Sequence, residues 1–111
     1  MCIRDSYRPL SYVGAYSATK AALIQVTKSQ SIELARYNIC VNALAPGYIL
    51  TDINRDQLEG ETGDLIKKKI PLKRFATVDE LDTIISMLLN TSNTYMTGAV
   101  VAVDGGLSTG L

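Results

Sequence analysis

The chain has 111 residues, in which eleven basic residues balance eleven acidic ones and 47% of residues are hydrophobic. This balance, without a long basic run, argues against a nucleic-acid or anionic membrane partner, and no apolar run is long enough to cross a bilayer. The sequence has no histidine and only two cysteines, so the usual zinc ligand sets cannot form and no metal site is predicted. A globular protein with a small ligand is favoured.

The opening stretch MCIRDS has neither the apolar core nor the cleavage site of a secretory signal, and it is unrelated to the pattern that follows. We interpret residues 1–7 as a non-native leader. Because the chain shows no export signal, the cytoplasm is the expected compartment.

Residues 15 to about 36 contain no glycine or proline and are rich in good helix formers, which predicts a helix of several turns. Asn38 follows, and asparagine tolerates the left-handed conformation that ends many helices. The apolar run at residues 39–44 then predicts a buried strand ahead of a turn at Pro46 and Gly47.

The second half of the chain predicts a polar excursion, a helix and a strand. Residues 48–75 mix charge with glycine and proline, which indicates one or two short helices outside the core. Residues 77–90 predict a helix, since Thr77 and Glu80 have the spacing of a capping box. Its expected apolar face consists of Val78, Leu81, Ile85 and Leu88.

The β-branched residues 99–103 predict a second buried strand. Strand, helix and strand together form a parallel crossover unit. Two buried strands cannot cover both faces of a sheet, so the expected fold class is α/β with an incomplete parallel sheet.

Tyr16 and Lys20 stand four residues apart on the first predicted helix. Because residues i and i+4 share one helix face, the phenol and the ammonium can occupy one small volume. A nearby cation favours the phenolate, which makes tyrosine a usable proton donor or acceptor without a histidine. The pair could protonate a carbonyl oxygen while hydride arrives at the carbon, or take the hydroxyl proton in the reverse reaction.

A tyrosine and a lysine at this spacing also occur by chance, as an aromatic side chain beside a solvated lysine. Two other functions therefore stay open: a non-catalytic oligomerisation or interaction module, and a small hydrolase with Tyr16 or Ser17 as nucleophile. The hydrolase is disfavoured because Ser17 has no base except Lys20.

Three segments in combination are far more specific: YSATK at residues 16–20, PGYILT at 46–51 and TGAVVAVDGG at 97–106. Together they resemble the C-terminal part of a short-chain dehydrogenase/reductase, from about residue 8 to residue 111. The resemblance implies the C-terminal part of a Rossmann-like, doubly wound parallel sheet, with residues 48–75 as the lid over the substrate. It also implies NAD or NADP as cofactor, a small carbonyl or alcohol substrate, and a homotetramer or homodimer.

The resemblance assigns roles to six residues. Tyr16 is the expected proton donor or acceptor, and Lys20 tunes it and holds the nicotinamide ribose hydroxyls. Pro46 and Gly47 shape the loop after the strand. The backbone of Ile49 and the hydroxyl of Thr51 are expected to meet the nicotinamide carboxamide. These site residues are Tyr16, Lys20, Pro46, Gly47, Ile49 and Thr51.

Other positions in these motifs have structural interpretations. Asn42 either buttresses the site or is a polar strand residue satisfied by backbone. The segment from Val103 to Gly106 is interpreted as structural. Three apolar lid residues either face a substrate or pack internally: Leu50, Ile53 and Leu58.

The sequence departs from the family pattern before the tyrosine. The family's catalytic serine belongs about thirteen residues earlier, where Ile3 stands, and Ser6 and Ser11 have the wrong offset. The glycine-rich phosphate loop and the residue that separates NAD from NADP do not occur in these 111 residues. We therefore expect the chain alone to show negligible turnover and the activity to belong to a full-length parent.

Overall fold

The computed structural model describes residues 13–109, so the predicted leader at residues 1–7, together with Ile3, Ser6 and Ser11, lies outside the described residues. The elements of the described part are α1 (Gly14–Leu34), a 3-10 turn (Ala35–Tyr37), β1 (Ala43–Pro46), α2 (Arg55–Leu58), α3 (Glu61–Lys69), α4 (Asp79–Leu89) and β2 (Val100–Val103). The strands pair in parallel, with Ala43 opposite Val100. The predicted α/β class with a parallel crossover is confirmed.

Helix α1 begins and ends close to its predicted limits. Its last turn tightens into the 3-10 segment, and Asn38 follows in the left-handed region with φ 58° and ψ 32°. The Asn38 N–H donates to the Ala35 carbonyl at 2.9 Å, which satisfies one of the free carbonyls at the helix end. The asparagine therefore ends the helix as predicted.

Strand β1 lies later in the chain than predicted, at residues 43–46 rather than 39–44. The preceding residues are bonded to a loop instead of to a strand: the Val41 N–H donates to the Thr97 hydroxyl at 3.0 Å, and the Asn42 side chain donates to the Met96 carbonyl at 2.8 Å. The Ala99 N–H donates to the Asn42 side chain at 3.0 Å, so Asn42 is a polar residue satisfied by backbone. These side-chain bonds were not readable from the apolar pattern.

The buried core lies between the two strands and the returning end of segment 48–75. Ile70 and Leu107 are 2% and 4% exposed. The partly buried hydrophobic residues packed against them are Ala45, Tyr48, Ile66, Phe75 and Val100. The core therefore joins residues 48–75 to β1, to the start of β2 and to the turn that follows β2. Of the three apolar residues of segment 48–75 with two interpretations, Leu58 is buried, Leu50 is half-buried and Ile53 is 97% exposed.

The covered face of helix α4 agrees with the predicted one at Leu81 and Leu88 and differs from it at Val78 and Ile85. Leu81, Ile84 and Leu88 are half-buried, whereas Val78 and Ile85 are exposed. The helix begins at Asp79 and has no side-chain cap; only the reciprocal half of the predicted capping box forms, since the Thr77 N–H donates to the Glu80 carboxylate at 2.9 Å. A sheet with only two strands in the described part is too narrow to cover the whole predicted face.

Helix α1 buries polar residues and exposes apolar ones. Thr27 and Ser31 are its buried residues, while Leu23, Val26 and Ile32 are exposed. A β-carbon placed on Gly98 would lie 2.7 Å from the Ser31 hydroxyl oxygen, so the helix closely approaches the chain just before β2. Within residues 13–109, no helix is both long and apolar enough to span a membrane.

Candidate functional site

Helix α1 brings Tyr16 and Lys20 together. The Lys20 ammonium nitrogen lies 5.2 Å from the centre of the Tyr16 ring, a distance at which a cation is attracted to an aromatic face. Tyr16 is 37% exposed, so an external molecule can reach it. The Thr19 hydroxyl donates to the Tyr16 carbonyl at 2.7 Å and leaves the phenol unaffected. The predicted pairing of the two side chains on one helix face is therefore present.

The turn after β1 is shaped by its contact with β2. The Gly47 N–H donates to the Val103 carbonyl at 2.9 Å. A β-carbon on Gly47 would lie 2.6 Å from the α-carbon of Asp104, which leaves no room for any other residue. The N–H groups of Ala43 and Gly47 donate towards β2, so the nitrogen of Pro46 faces the other side of β1. In residues 13–109 this side is unpaired, and proline is tolerated there because it has no N–H to donate.

Residues 49–51 form a loop held on two sides. On one side Ile49 forms an isolated parallel bridge with Ala76, and the Leu50 N–H donates to the Ala76 carbonyl at 2.8 Å. On the other side the Thr51 N–H donates to the Asn54 side-chain oxygen at 2.8 Å, and the Asn54 amide donates to the Ile49 carbonyl at 2.9 Å. The loop is thus fixed by contacts both distant and near in sequence.

Polar groups of this loop keep hydrogen-bonding capacity. Among residues 13–109, the Ile49 N–H has no acceptor and the Thr51 hydroxyl has no partner, and the Leu50 carbonyl is a further acceptor without a donor. The first two together offer one backbone donor and one hydroxyl that can either donate or accept. A primary carboxamide, which has one acceptor oxygen and an NH₂ donor, is complementary to this set.

Asp104 supports the turn from the side of β2. Its carboxylate accepts hydrogen bonds from the Gly106 N–H at 2.9 Å and the Ser108 N–H at 2.8 Å. Burial acts to raise the pKa of Asp104, but the hydrogen bonds from Ser108 and Gly106 outweigh it and hold the pKa below its usual value. The predicted structural role of the segment from Val103 to Gly106 fits this arrangement.

Arg74 and Glu80 join the end of segment 48–75 to the start of α4. The two guanidinium nitrogens donate to the two carboxylate oxygens at 2.8 and 2.7 Å. The bond from Arg74, followed by the one from the Thr77 N–H, lowers the pKa of Glu80 to about 2. The pair is bidentate but exposed to solvent, so its stabilising effect is modest.

The six predicted site residues form two groups. Tyr16 and Lys20 are one group, and residues 46–51 are the other; within residues 13–109 no hydrogen bond, ion pair or ring contact joins them. A cleft of about 170 Å³ beside Asp104 is lined by none of the six residues. Sequence reasoning missed Asn54, although an asparagine three residues after Thr51 is a recognisable turn signal.

A family model described as Enoyl-(Acyl carrier protein) reductase matches residues 5–108. A solved structure of a Serratia marcescens short-chain dehydrogenase/reductase mutant is similar, with a TM-score of 0.87 and 29% identity; the match covers 96% of this chain and 43% of that one. The chain belongs to the short-chain dehydrogenase/reductase family. The resemblance predicted from the motifs is confirmed.

Relatives in this family carry the names of oxidoreductases. The 3-oxoacyl-[acyl-carrier-protein] reductase FabG of Aquifex aeolicus is 44% identical over 92 residues, which are 83% of this chain and 37% of the relative. The L-xylulose reductase of Caenorhabditis elegans is 41% identical over 106 residues, or 91% of this chain and 41% of the relative.

A gluconate 5-dehydrogenase from Burkholderia cenocepacia, solved in complex with NADP and tartrate, has a TM-score of 0.90 and 33% identity. The match covers 99% of this chain and 44% of that structure. The chain therefore spans less than half the length of each of these proteins. Its fold is that of part of a Rossmann-like short-chain dehydrogenase/reductase.

Proposed function

We propose that this chain is the C-terminal portion, at residues 8–111, of an NAD(P)-dependent oxidoreductase that interconverts a carbonyl and a secondary alcohol. Tyr16 is the acid or base in this reaction, and Lys20 tunes it and holds the cofactor ribose. Pro46, Gly47, Ile49 and Thr51 form the side of the site that receives the nicotinamide. The single observation that carries the proposal is the pairing of Tyr16 with Lys20 at 5.2 Å on an accessible helix face.

The loop at residues 49–51 supports the cofactor assignment. The Ile49 N–H and the Thr51 hydroxyl, both without a partner in the described part, match the acceptor and donor of a nicotinamide carboxamide. The bound dinucleotide would supply or accept the hydride. A relative solved with NADP, the gluconate 5-dehydrogenase, agrees with this cofactor class.

Helix geometry supports placing the two groups at the same end of the sheet. The contact between Ser31 and Gly98 sets α1 beside the start of β2. Tyr16 lies about 22 Å from Ser31 along the helix axis. Asp104, which contacts Gly47, lies about 20 Å from Gly98 along the strand. We propose that α1 runs antiparallel to the strands, which would bring Tyr16 level with the turn.

The chemistry of this chain's own residues then follows. The Tyr16 hydroxyl donates its proton to the carbonyl oxygen of the substrate, and it takes the proton back from the alcohol in the reverse direction. The Lys20 ammonium stabilises the phenolate that remains. Residues 48–75, joined to the strands by the buried Ile70, act as the lid that excludes water from the reaction.

The proposal is tested on the full-length protein by following reduced nicotinamide absorbance with carbonyl substrates. Tyr16→Phe is expected to lower turnover by about 10²–10⁴-fold, the usual contribution of general acid–base catalysis. Tyr37→Phe is the matched control, since Tyr37 is also an exposed tyrosine with a cation, Arg36, 4.7 Å from its ring centre. Equal turnover in both variants would refute the role of Tyr16.

The 111-residue chain by itself is expected to show negligible turnover, because Ile3 stands where the family has its catalytic serine. Sustained turnover of the isolated chain that Tyr16→Phe abolishes would contradict this expectation.

We also propose that the full-length protein is a homotetramer or homodimer. Exposed apolar residues on α1 and α4, among them Leu23 and Leu89, favour association. The same observation favours the second candidate, a non-catalytic oligomerisation module. Calorimetric titration with NAD(H) and NADP(H) beside a mass measurement separates the two. Tight dinucleotide binding supports the enzyme, and a stable oligomer without binding supports the module.

A further inference from the structure

The side chain of Asn54 does not make the hydrogen bond that is usual at its position. It stands directly before helix α2, at the place where asparagine commonly caps the first N–H groups of a helix. Here it makes no side-chain bond to that helix. Instead, its side-chain oxygen accepts a hydrogen bond from the Thr51 N–H, and its side-chain nitrogen donates to the Ile49 carbonyl. Both partners lie in the preceding loop. Helix capping therefore does not account for this residue.

The two bonds of Asn54 select which groups of the loop remain free. They occupy the Ile49 carbonyl at 2.9 Å and the Thr51 N–H at 2.8 Å, while the Asn54 N–H also donates to the Thr51 carbonyl at 3.2 Å. The groups left over in the described part are the Ile49 N–H, the Thr51 hydroxyl and the Leu50 carbonyl, of which the first two are the donor and hydroxyl assigned to the carboxamide. One side chain thus removes a competing acceptor and a competing donor from the surface that would meet a carboxamide.

We infer that Asn54 is a positioning residue that orients the Ile49 N–H and the Thr51 hydroxyl to receive the primary carboxamide of a nicotinamide dinucleotide. This inference rests on the proposed function. Asn54 acts through the loop and does not touch the reacting atoms. Its effect is therefore specific to the carboxamide of the ligand and is not shared by the rest of the dinucleotide.

The test compares dissociation constants of the full-length protein for the preferred nicotinamide dinucleotide and for its 3-acetylpyridine analogue, in which a methyl group replaces the carboxamide NH₂. Wild type is expected to bind the nicotinamide form more tightly. Asn54→Ala is expected to weaken binding of the nicotinamide form by about tenfold, as for the loss of one or two hydrogen bonds, and to bring the two constants close to each other.

Two further variants make the result specific. Asn93→Ala removes another side-chain bond to backbone, from Asn93 to the Met87 carbonyl at 3.2 Å, at the end of α4. It is expected to lower thermal stability without changing the ratio of the two constants. Asn54→Asp keeps the acceptor for the Thr51 N–H but loses the donor to the Ile49 carbonyl, so it is expected to reduce the ratio partly. It provides the measurement if Asn54→Ala does not fold.

The outcomes separate this inference from the proposed function. If wild type binds neither dinucleotide, or binds both equally, the cofactor assignment of the loop fails and the inference fails with it. If wild type discriminates and the folded Asn54 variants discriminate equally well, the inference alone is overturned. A ratio that falls in the Asn54 variants and is kept in Asn93→Ala supports it.

Discussion

The two halves of the candidate site are built in contrasting ways. Tyr16 and Lys20 are brought together by their i and i+4 positions on one helix, and Tyr16 remains 37% exposed. The loop at residues 46–51 is held by β2, by Ala76 and by Asn54. A local pair needs only its helix, whereas the loop needs the whole carboxyl edge of the sheet. Substitutions in the first half should therefore change chemistry, and those in the second should also change stability.

The largest effect is expected at the local pair. Lys20→Met removes the cation beside Tyr16, and turnover of the full-length protein should fall on the order of a hundredfold, because the phenolate loses its stabilising charge. The free energy of unfolding should hardly change, since Lys20 is exposed. Lys28→Met, an exposed lysine on the same helix, is the control. Loss of turnover in both variants would show that the charge of the helix, rather than the pair, is responsible.

Gly47→Ala should instead act mainly on the stability of the fold. The new β-carbon would meet the backbone of Asp104 at 2.6 Å, so the free energy of unfolding should fall by about 1–3 kcal/mol, as for other overpacked sites. Chemical denaturation measures this. Gly14→Ala serves as control because nothing in residues 13–109 lies within 4 Å of its added carbon, and it should leave stability unchanged or slightly raised. Equal stability of both variants would contradict the close approach of β2.

Thr51→Val tests the free hydroxyl of the loop. The substitution keeps the shape of the side chain and the Thr51 N–H bond to Asn54. The dissociation constant for the nicotinamide dinucleotide should rise by about tenfold, as for the loss of one or two hydrogen bonds. Thr19→Val, whose hydroxyl bonds only the Tyr16 carbonyl, is the control. Unchanged binding in Thr51→Val would show that the Thr51 hydroxyl does not contact the dinucleotide.

The smallest effect is expected at the exposed pair of Arg74 and Glu80. Because folding lowers the pKa of Glu80 to about 2, the pair stabilises the fold above the ordinary glutamate value near 4.5 and loses this contribution as pH falls towards 2. Glu80→Gln should therefore slightly lower the Tm at pH 7, and the difference from wild type should vanish near pH 2.

Glu59→Gln, in the single-bonded pair of Arg55 and Glu59, is the control for removing a surface charge. A difference between Glu80→Gln and wild type that grows as the solution is acidified would contradict the assigned sign.

The features that sequence reasoning predicted depend on neighbours in the chain. The pairing of Tyr16 with Lys20 follows from helix periodicity, and the left-handed Asn38 from the chemistry of asparagine. The late start of β1 and the exposed Ile85 were missed, because they depend on which distant segments offer partners. Asn54 was missed although its signal was local, since an asparagine before a helix is usually read as a cap.

The most direct test of the account is a crystal structure of the full-length protein with its nicotinamide dinucleotide. We expect the Lys20 ammonium to bond the ribose hydroxyls and the Tyr16 hydroxyl to face the nicotinamide ring. The carboxamide should bond the Ile49 N–H and the Thr51 hydroxyl. A dinucleotide that contacts only one of these groups, or a Tyr16 that points away from the loop, would contradict it.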